Sequence, residues 1–353
     1  MGYIAVFGSV FVDIKGFPFG KYLPTGRNVG DVKIVHGGVC RNVAENLANV
    51  GADVSFVTMF EPGAIGDDVR RRLAARGVDL RYAVSAPAGM GMWLVVLNER
   101  GDVAGSISRQ PDFSAMEELV ERRGDEIVMG CDCIVLEVDM RASIAEKVYA
   151  LAEKYGKDVY VVVGNLSVIQ QRTDFLSRTR LFIMNEIEAG ILFGCELNRC
   201  APMEVLETVR REAVARGIGE IVVTLGDQGA VYFDAGSGAS GHVPAAEAVM
   251  VDSTGAGDAV FSGPVAARRR GLSRRDSARL GAHLAALTIR TEESTCPRVE
   301  DFLPPEAQAV GAMHDGVSVA AREPLFHLSE RRLCDGLDHL SQKPCAGAQF
   351  RLG

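Results

Sequence analysis

The 353-residue sequence lacks several features that mark large classes of protein. No stretch approaches the roughly 18 consecutive apolar residues of a membrane span, and no basic and then apolar leader opens the chain. None of the eight cysteines forms a C-x-x-C pair, which disfavours both a disulfide framework and a zinc site. Basic residues are outnumbered by acidic ones, 38 to 46, and the net charge of −8 disfavours binding to nucleic acid or to a membrane. We therefore expect a cytoplasmic protein.

A dinucleotide-binding G-x-G-x-x-G pattern is also absent after the first strand-like run, at residues 4–7. This absence disfavours a nicotinamide enzyme. The run is followed instead by Gly8-Ser9 and, shortly after, by Asp13. Open α/β sheets bind ligands at the carboxyl ends of their strands, so Asp13 can accept hydrogen bonds from substrate hydroxyls there. A plain turn aspartate is the alternative.

Apolar runs alternate regularly with amphipathic segments along most of the chain. The strand-like runs lie at 4–7, 54–59, 133–137, 159–163, 181–184, 221–224 and 230–233. The helical patterns between them lie at 41–50, 67–75, 144–155, 186–193 and 202–216. This order predicts an α/β fold with a mostly parallel central sheet that helices cover on both faces.

Three segments depart from that rhythm. Residues 14–35 and 91–108 lack a helical period, and 91–108 has the pattern of a hairpin. Together they predict a small sheet that stands off the main one, as a lid or as an oligomer contact. The pattern ends near residue 304, and we expect 306–353 to be an appended tail, for which disorder is one expectation.

The most informative stretch follows an apolar run and opens a helical segment; it reads Val251-Asp252-Ser253-Thr254-Gly255-Ala256-Gly257-Asp258. Gly255, Ala256 and Gly257 are small, so backbone N–H groups at a helix N-terminus can approach a phosphate closely. Asp258 falls in the first helical turn and can take a proton from an attacking hydroxyl. An anion site beside a base is the minimum that phosphoryl transfer to an alcohol requires. A strand–turn–helix junction capped by the aspartate is the alternative.

Two further motifs stand at predicted helix starts. Gly37-Gly38 lets a ligand approach the backbone, and Asn42 offers both a donor and an acceptor, although an N-cap would also explain Asn42. Asn185 and Glu188 share one helix face, where they can hold a hydrated Mg²⁺. A capping arrangement explains this second pair equally well.

A third motif, Thr224-Leu225-Gly226 followed by Gly229, ends a strand in a hairpin-like turn. Its glycines can contact the phosphates of a nucleotide, but by itself the motif indicates only a turn. The motifs carry more information together and in this order than any of them does alone.

In combination, these motifs resemble those of the ribokinase-like (PfkB) family of carbohydrate and nucleoside kinases over residues 1 to about 303. The resemblance implies a three-layer α/β/α sandwich with a mostly parallel central sheet, in a kinase domain over 1–305. Segments 14–35 and 91–108 would form a small β lid. It also implies ATP and Mg²⁺ as cofactors, a nucleoside or sugar as substrate, and a candidate homodimer through the lid.

The resemblance also implies a role for each motif residue. Asp258 would activate the acceptor hydroxyl, and the anion hole would consist of Gly255, Ala256 and Gly257. The positions similar to the substrate-contacting ones are Asp13, Gly37, Gly38 and Asn42. The ATP side would be formed by Asn185, Thr224, Gly226 and Gly229, with Glu188 holding Mg²⁺ through water. Asp252 and Thr254 match positions that hold a monovalent cation, K⁺, in many members.

Within the family, the stretch 37–47 and the ending at 286–297 resemble the pseudouridine kinases. Pseudouridine is therefore the expected acceptor, phosphorylated at its primary ribosyl hydroxyl to the 5′-phosphate. Another nucleoside or a free sugar, such as a purine nucleoside or ribose, is the alternative. Two other classes stay open: a catalytically silent nucleoside sensor, and a scaffold that dimerises through an exposed lid edge.

Overall fold

The computed structural model describes residues 2–299 except Gly101, Asn165 and Arg269. The tail expected at 306–353 and the end of the kinase domain at 300–305 lie outside the described residues. The strands are β1 (Tyr3–Phe7), β2 (Phe11–Pro18), β3 (Gly30–Gly37), β4 (Val54–Phe60), β5 (Ala83–Ser85), β6 (Gly91–Leu97), β7 (Val103–Arg109), β8 (Cys131–Glu137), β9 (Asp158–Val162), β10 (Leu181–Asn185), β11 (Glu220–Thr224), β12 (Ala230–Asp234) and β13 (Ser240–Val243).

The α-helices are α1 (Val39–Asn49), α2 (Ala64–Ala75), α3 (Ser114–Gly130), α4 (Ala142–Tyr155), α5 (Leu166–Gln171), α6 (Asp174–Arg178), α7 (Glu186–Phe193), α8 (Pro202–Arg216), α9 (Ala256–Arg268) and α10 (Arg274–Thr288). Local chemistry sets several of their ends. Helix α8 begins with proline at its first position and ends at Gly217 in the left-handed conformation. Within the described part of the chain, no helix combines the length and the apolar character of a membrane span.

The main sheet has nine strands in the order β13-β12-β11-β10-β9-β8-β1-β4-β5. Its pairs are parallel from β5 to β11, and β12 and β13 add an antiparallel edge. Side chains of β1 alternate between two cores: Ile4 and Val6 pack with residues of α1, α9 and α10, whereas Phe7 packs with residues of α3 and α4. Helices therefore cover both faces, and the predicted three-layer α/β/α sandwich is confirmed.

The second sheet has four strands in the order β3-β2-β6-β7. Its strands come from the two segments that lack a helical period, so the predicted β lid is confirmed as a separate small sheet. Because neighbours in register share a face, one face carries Val35, Asp13, Trp93 and Ser108 in a row. The opposite face carries the row Ile34, Ile14, Leu94 and Ile107.

Helix α9 packs closely against α10 through two glycines. A methyl group at Gly263 would lie 2.3 Å from the backbone nitrogen of Gly281, so the two backbones meet without intervening side chains. The helix continues through Pro264 and remains buried on both sides of it. This packing fixes the axis of α9, whose first turn carries Asp258.

Candidate active site

A cleft of about 710 Å³ lies between the lid and the carboxyl ends of the main-sheet strands. The lid contributes Asp13, Val35, Trp93 and Ser108, all from the same face. The strand ends and the loops after them contribute Ser9, Glu137, Asp139 and Gly164. The cleft therefore occupies the position where open α/β sheets bind their ligands.

Asp258 lies next to this cleft, in the first turn of α9. The side chain of Asn42 lines the cleft, and its Nδ2 donates a hydrogen bond of 2.7 Å to Oδ2 of Asp258. Burial raises the pKa of Asp258 from 3.8 to about 7; the hydrogen bond from Asn42 and the charge of Arg41 act against this rise, and Glu137 adds to it. A carboxyl group that titrates near neutrality can both take up and release a proton at working pH.

The turn before α9 has the conformation of an anion site. Gly255 has a φ of 81°, and a methyl group there would lie 2.0 Å from the carbonyl oxygen of Ser294, so only glycine fits. Gly257 has open space where a side chain would stand. The N–H of Ala256 donates to Ser253, but among the described residues no backbone carbonyl accepts from the N–H of Gly255 or Gly257. These two amides can bind an anion at the helix N-terminus.

The four residues expected to contact substrate all line the cleft: Asp13, Gly37, Gly38 and Asn42. A side chain at Gly38, which has a φ of 99°, would clash with the backbone of Ser9 and Phe11 at 2.9 Å. Burial raises the pKa of the Asp13 carboxyl, against the charges of Lys15 and Arg41. The structure therefore brings together residues from β2, β3 and α1 as the sequence predicted.

Several residues of the cleft were not predicted from the sequence. Glu137 is buried at the end of β8 and accepts hydrogen bonds from the amide and hydroxyl of Ser9, at 2.8 and 2.7 Å. Asp139 lies just beyond it, beside Gly164. Both acids follow the same signal as Asp13, an acid at the end of a buried strand, which was applied only to the first strand. Further cleft residues that were not predicted include Ser9, Phe11, His36, Trp93, Phe113 and Ser294.

On the expected ATP side, Asn185 and Glu188 form a capping box at the start of α7. The amide of Asn185 donates to Oε2 of Glu188 at 2.9 Å, and the amide of Glu188 donates to Oδ1 of Asn185 at 2.8 Å. Asn185 lies opposite Thr224 in the parallel pair β10–β11, so the two motifs meet at one sheet edge. Neither Asn185 nor Glu188 lines the cleft described above. The capping arrangement, which the sequence left as an alternative, is present.

The predicted turn after β11 is confirmed as a hairpin connection. Strands β11 and β12 pair antiparallel, and Gly226 and Gly229 both have positive φ, 59° and 90°. A methyl group at Gly229 would lie 2.1 Å from the carbonyl oxygen of Val243 on β13. Both glycines are therefore required by the turn itself, whatever else it contacts.

Asp252 and Thr254, the candidate monovalent-cation residues, form a local turn ahead of the anion site. The amide and hydroxyl of Thr254 both donate to Oδ1 of Asp252, at 2.8 and 2.7 Å. Burial would raise the pKa of Asp252, but these two hydrogen bonds hold it below its ordinary value. The carboxylate stays charged beside the turn. Among residues 2–299 as described, no three His, Cys, Asp or Glu side chains form a group that could hold a metal ion.

A lid over an acceptor cleft, with a helix N-terminus and a titratable acid at its edge, defines the class of small-molecule phosphotransferases with an alcohol acceptor. The family comparison agrees with this class. Residues 1–300 match the pfkB family carbohydrate kinase model, and the chain belongs to that family. It is therefore an ATP-dependent kinase of carbohydrates or nucleosides.

The chain is similar to two individual relatives and to one solved structure. It is 35% identical over 305 residues to the guanosine-inosine kinase of Exiguobacterium acetylicum, covering 86% of this chain and all of that protein. It is 23% identical over 298 residues to the pseudouridine kinase of Escherichia coli K12, covering 84% and 93%. The fold superimposes on Arabidopsis thaliana ribokinase complexed with ribose and ATP, with a TM-score of 0.75 and 23% identity over 84% and 96% of the chains. The finer resemblance to pseudouridine kinases stays unconfirmed.

Proposed function

We propose that this kinase transfers the γ-phosphoryl group of ATP to the 5′-hydroxyl of a purine nucleoside, with inosine and guanosine as the first candidates. The observation that carries the proposal is the Asn42–Asp258 pair, a carboxyl group with a pKa of about 7 held by an amide that lines the cleft. The 35% identity to guanosine-inosine kinase favours this acceptor over pseudouridine, the acceptor expected from the sequence, since the identity to pseudouridine kinase is 23%.

In the proposed reaction, Asp258 takes the proton of the 5′-hydroxyl as that oxygen attacks the γ-phosphorus. The new O–P bond forms in line with the bond to the β-phosphate, which breaks and releases ADP. The N–H groups of Gly255 and Gly257 stabilise the charge on the transferred group, and the turn that holds them is preformed. Asp13 and the Gly37-Gly38 backbone orient the ribosyl hydroxyls. Closure by the lid excludes water, which would otherwise compete for the phosphoryl group.

The residues of the capping box are compatible with a Mg²⁺ role. Mg²⁺ keeps several waters and takes few direct protein ligands. Among the described contacts, the cap uses only Oε2 of Glu188, so Oε1 can accept from a metal-bound water. We propose Glu188 for this role and Asn185, Thr224, Gly226 and Gly229 for the ATP side. Mg²⁺ would neutralise phosphate charge. Asp252 and Thr254 stay the candidates for K⁺.

The cleft has the size and chemistry for a nucleoside. Its volume of about 710 Å³ suits a drug-sized ligand, and Phe11, Trp93 and Phe113 supply aromatic surface for a base. Asp139 adds a carboxylate to the wall. A carboxylate accepts the N1–H that inosine and guanosine carry and that adenosine lacks. We therefore expect Asp139 to favour 6-oxopurines, and Asp139→Asn to lower the inosine-to-adenosine ratio of kcat/KM about 10-fold or more.

The test is ADP release from Mg·ATP with inosine, guanosine, adenosine, pseudouridine, uridine and ribose, with Asp258→Asn as the control. We expect turnover with inosine and guanosine, identification of the products as 5′-monophosphates, and loss of turnover in the control. Preference for pseudouridine or ribose would overturn the acceptor and keep the kinase. Activity in Asp258→Asn comparable to that of the wild type would overturn the role of Asp258.

The absence of turnover with every acceptor would instead favour the nucleoside sensor, which inosine-induced thermal stabilisation without turnover would identify.

The homodimer through the lid is supported by the exposed apolar row on its outer face, where Ile34 and Ile107 are 56% and 71% exposed. Cytoplasmic location stays a prediction.

A further inference from the structure

Arg41, which the predicted site does not include, is buried behind the wall of the cleft. Its side chain is 1% exposed, and its guanidinium donates to four acceptors. Nε donates to the carbonyl oxygen of Gly37 at 3.2 Å, and one Nη donates to Glu45 at 2.8 Å. The other Nη donates to the carbonyl oxygen of His36 and, at 2.9 Å, to the hydroxyl of Ser294. A buried fork of this kind fixes the relative positions of all its acceptors.

The acceptors belong to three parts of the molecule. His36 and Gly37 are the last two residues of β3, the lid strand that leads into α1. Glu45 lies one turn along α1 and also binds Arg72 of α2. Ser294 comes from the segment after α10. Arg41 therefore joins the end of the lid strand to Ser294, which lies 253 residues beyond Arg41 in the chain.

Ser294 in turn contacts both halves of the phosphoryl-transfer machinery. A Cβ on Gly255 would come within 2.0 Å of the carbonyl oxygen of Ser294. This carbonyl therefore sets the position of the turn before α9. Its hydroxyl lies 3.1 Å from Oδ1 of Asn42, whose amide nitrogen binds Asp258. One serine thus touches the anion site through its backbone and the proposed base through Asn42.

We propose that Arg41 and Ser294 are positioning residues for phosphoryl transfer, which hold the Gly255 turn and the Asn42–Asp258 pair in one geometry with the end of the lid strand. Neither residue need touch the reacting atoms. A displacement of the lid strand at His36 and Gly37 reaches the anion site through two hydrogen-bonded side chains. The inference rests on the roles proposed above for Asp258 and Gly255.

The segment after α10 offers a matched control for this proposal. Asn49 of α1 donates to the carbonyl oxygen of Cys296 at 2.7 Å, two residues beyond Ser294, but makes no described contact with Gly255, Asn42 or Asp258. Ser294→Ala and Asn49→Ala therefore each remove hydrogen bonding between α1 and the same segment. Only the first variant alters the connection to the proposed base.

The experiment measures kcat, the KM for ATP and the melting temperature of both variants, with the acceptor that the wild-type enzyme turns over best. We expect Ser294→Ala to lower kcat at least 10-fold with a KM for ATP within 2-fold of wild type. Ser294→Thr keeps a hydroxyl group and should retain most of the wild-type kcat. Asn49→Ala should lower the melting temperature with kcat within 2-fold. Equal effects of Ser294→Ala and Asn49→Ala on kcat would overturn the proposal.

Acceptor-free ADP release, measured on the same proteins, keeps the test valid whatever the acceptor is. The Gly255 turn serves transfer to water as well, so Ser294→Ala should lower this rate too.

Arg41→Lys and Arg41→Met separate the effect of geometry from that of charge. Both variants should lower kcat, and only Arg41→Met should move the acidic limb of the kcat/KM profile to higher pH. Unchanged kcat in Arg41→Lys would overturn the role of the fork. Asp258→Asn, run alongside, reports separately on the proposed base.

Discussion

Asn42 and Asp258 are 216 residues apart in the chain, yet the amide of one donates a 2.7 Å hydrogen bond to the carboxylate of the other. This bond joins the start of α1 to the start of α9, two helices whose buried residues share one core on the same side of the main sheet. It favours the charged form of Asp258, whereas burial favours the neutral form. The balance leaves the pKa of this carboxyl group at about 7.

Asp258→Asn should lower kcat about 10²–10⁴-fold, the range for loss of a general base. The wild-type kcat/KM should rise with pH and level off above about 7, because only the ionised carboxylate accepts a proton. A kcat/KM profile that is flat from pH 5 to pH 8, a range that spans the pKa of about 7, would contradict the role of Asp258 as the base.

The same group makes the stability of the fold depend on pH. The folded state holds the proton up to about pH 7, whereas the unfolded chain loses it near 3.8, so the free energy of unfolding should fall as the pH rises between these values. Asp258→Asn removes this dependence. Thermal unfolding should give a higher melting temperature for the variant than for wild type at pH 8. A lower one would show that the charged carboxylate stabilises the fold.

Gly255→Ala and Gly257→Ala should separate folding from catalysis. Alanine at Gly255 meets the carbonyl oxygen of Ser294 and adopts an unfavourable positive φ, so both melting temperature and activity should fall. Alanine at Gly257 has open space around it and should leave the melting temperature within a degree or so. Its methyl group would stand in the anion site, so kcat should still fall. Full activity in Gly257→Ala would remove this turn from the mechanism.

Glu188→Gln tests whether the capping box also serves Mg²⁺. Glutamine keeps an oxygen that can accept from the amide of Asn185, so the helix cap and the melting temperature should be retained. The loss of charge should raise the Mg²⁺ concentration needed for half-maximal activity several-fold. Asn185→Ala is the contrasting change, because it removes the cap and costs about 1 kcal/mol of stability. An unchanged Mg²⁺ requirement in Glu188→Gln would leave the pair a cap only.

Ile107→Lys should convert a lid-mediated dimer into monomers. Ile107 lies in the apolar row with Leu94, Ile14 and Ile34 on the outer face of the lid, and a buried unpaired lysine there would oppose association. Met129→Lys is the control, since Met129 is also an exposed apolar residue but lies on α3. Sedimentation equilibrium gives the mass directly. A monomeric wild type, or a dimeric Ile107→Lys, would exclude the lid as the interface.

Elements with a strong local signal were predicted to within a few residues. Helix α7 spans the predicted range because Asn185 caps it and Gly194 ends it in the left-handed conformation. The lid was predicted because two segments lacked a helical period. Strand β13, which has four residues and pairs with β12 at the edge of the main sheet, carried no such signal and was not predicted.

The candidate site was predicted less completely than the fold. Motif residues such as Asp258 and Asn42 were found because glycine-rich turns and helix starts leave local patterns. The importance of Arg41 and Ser294 depends on a contact between residues 253 positions apart, which no local pattern records. Glu137 carried a local signal, an acid at the end of a buried strand, that was applied only to the first strand. Asn185 and Glu188 show a further limit, since the same spacing suits a cap and a metal site equally well.

The lid and the sandwich contribute different residues to the cleft and its surroundings. Asp13, Trp93 and Ser108 lie on one face of the lid, whereas Asp258, Gly255 and the Asn185 motif belong to the sandwich. Under the roles proposed above, the lid face contacts the acceptor, so exchanging its side chains should change the acceptor preference and leave the phosphate chemistry intact. The boundary for such a graft is Gly37, after which the chain enters α1 and the residues that tie it to the anion site.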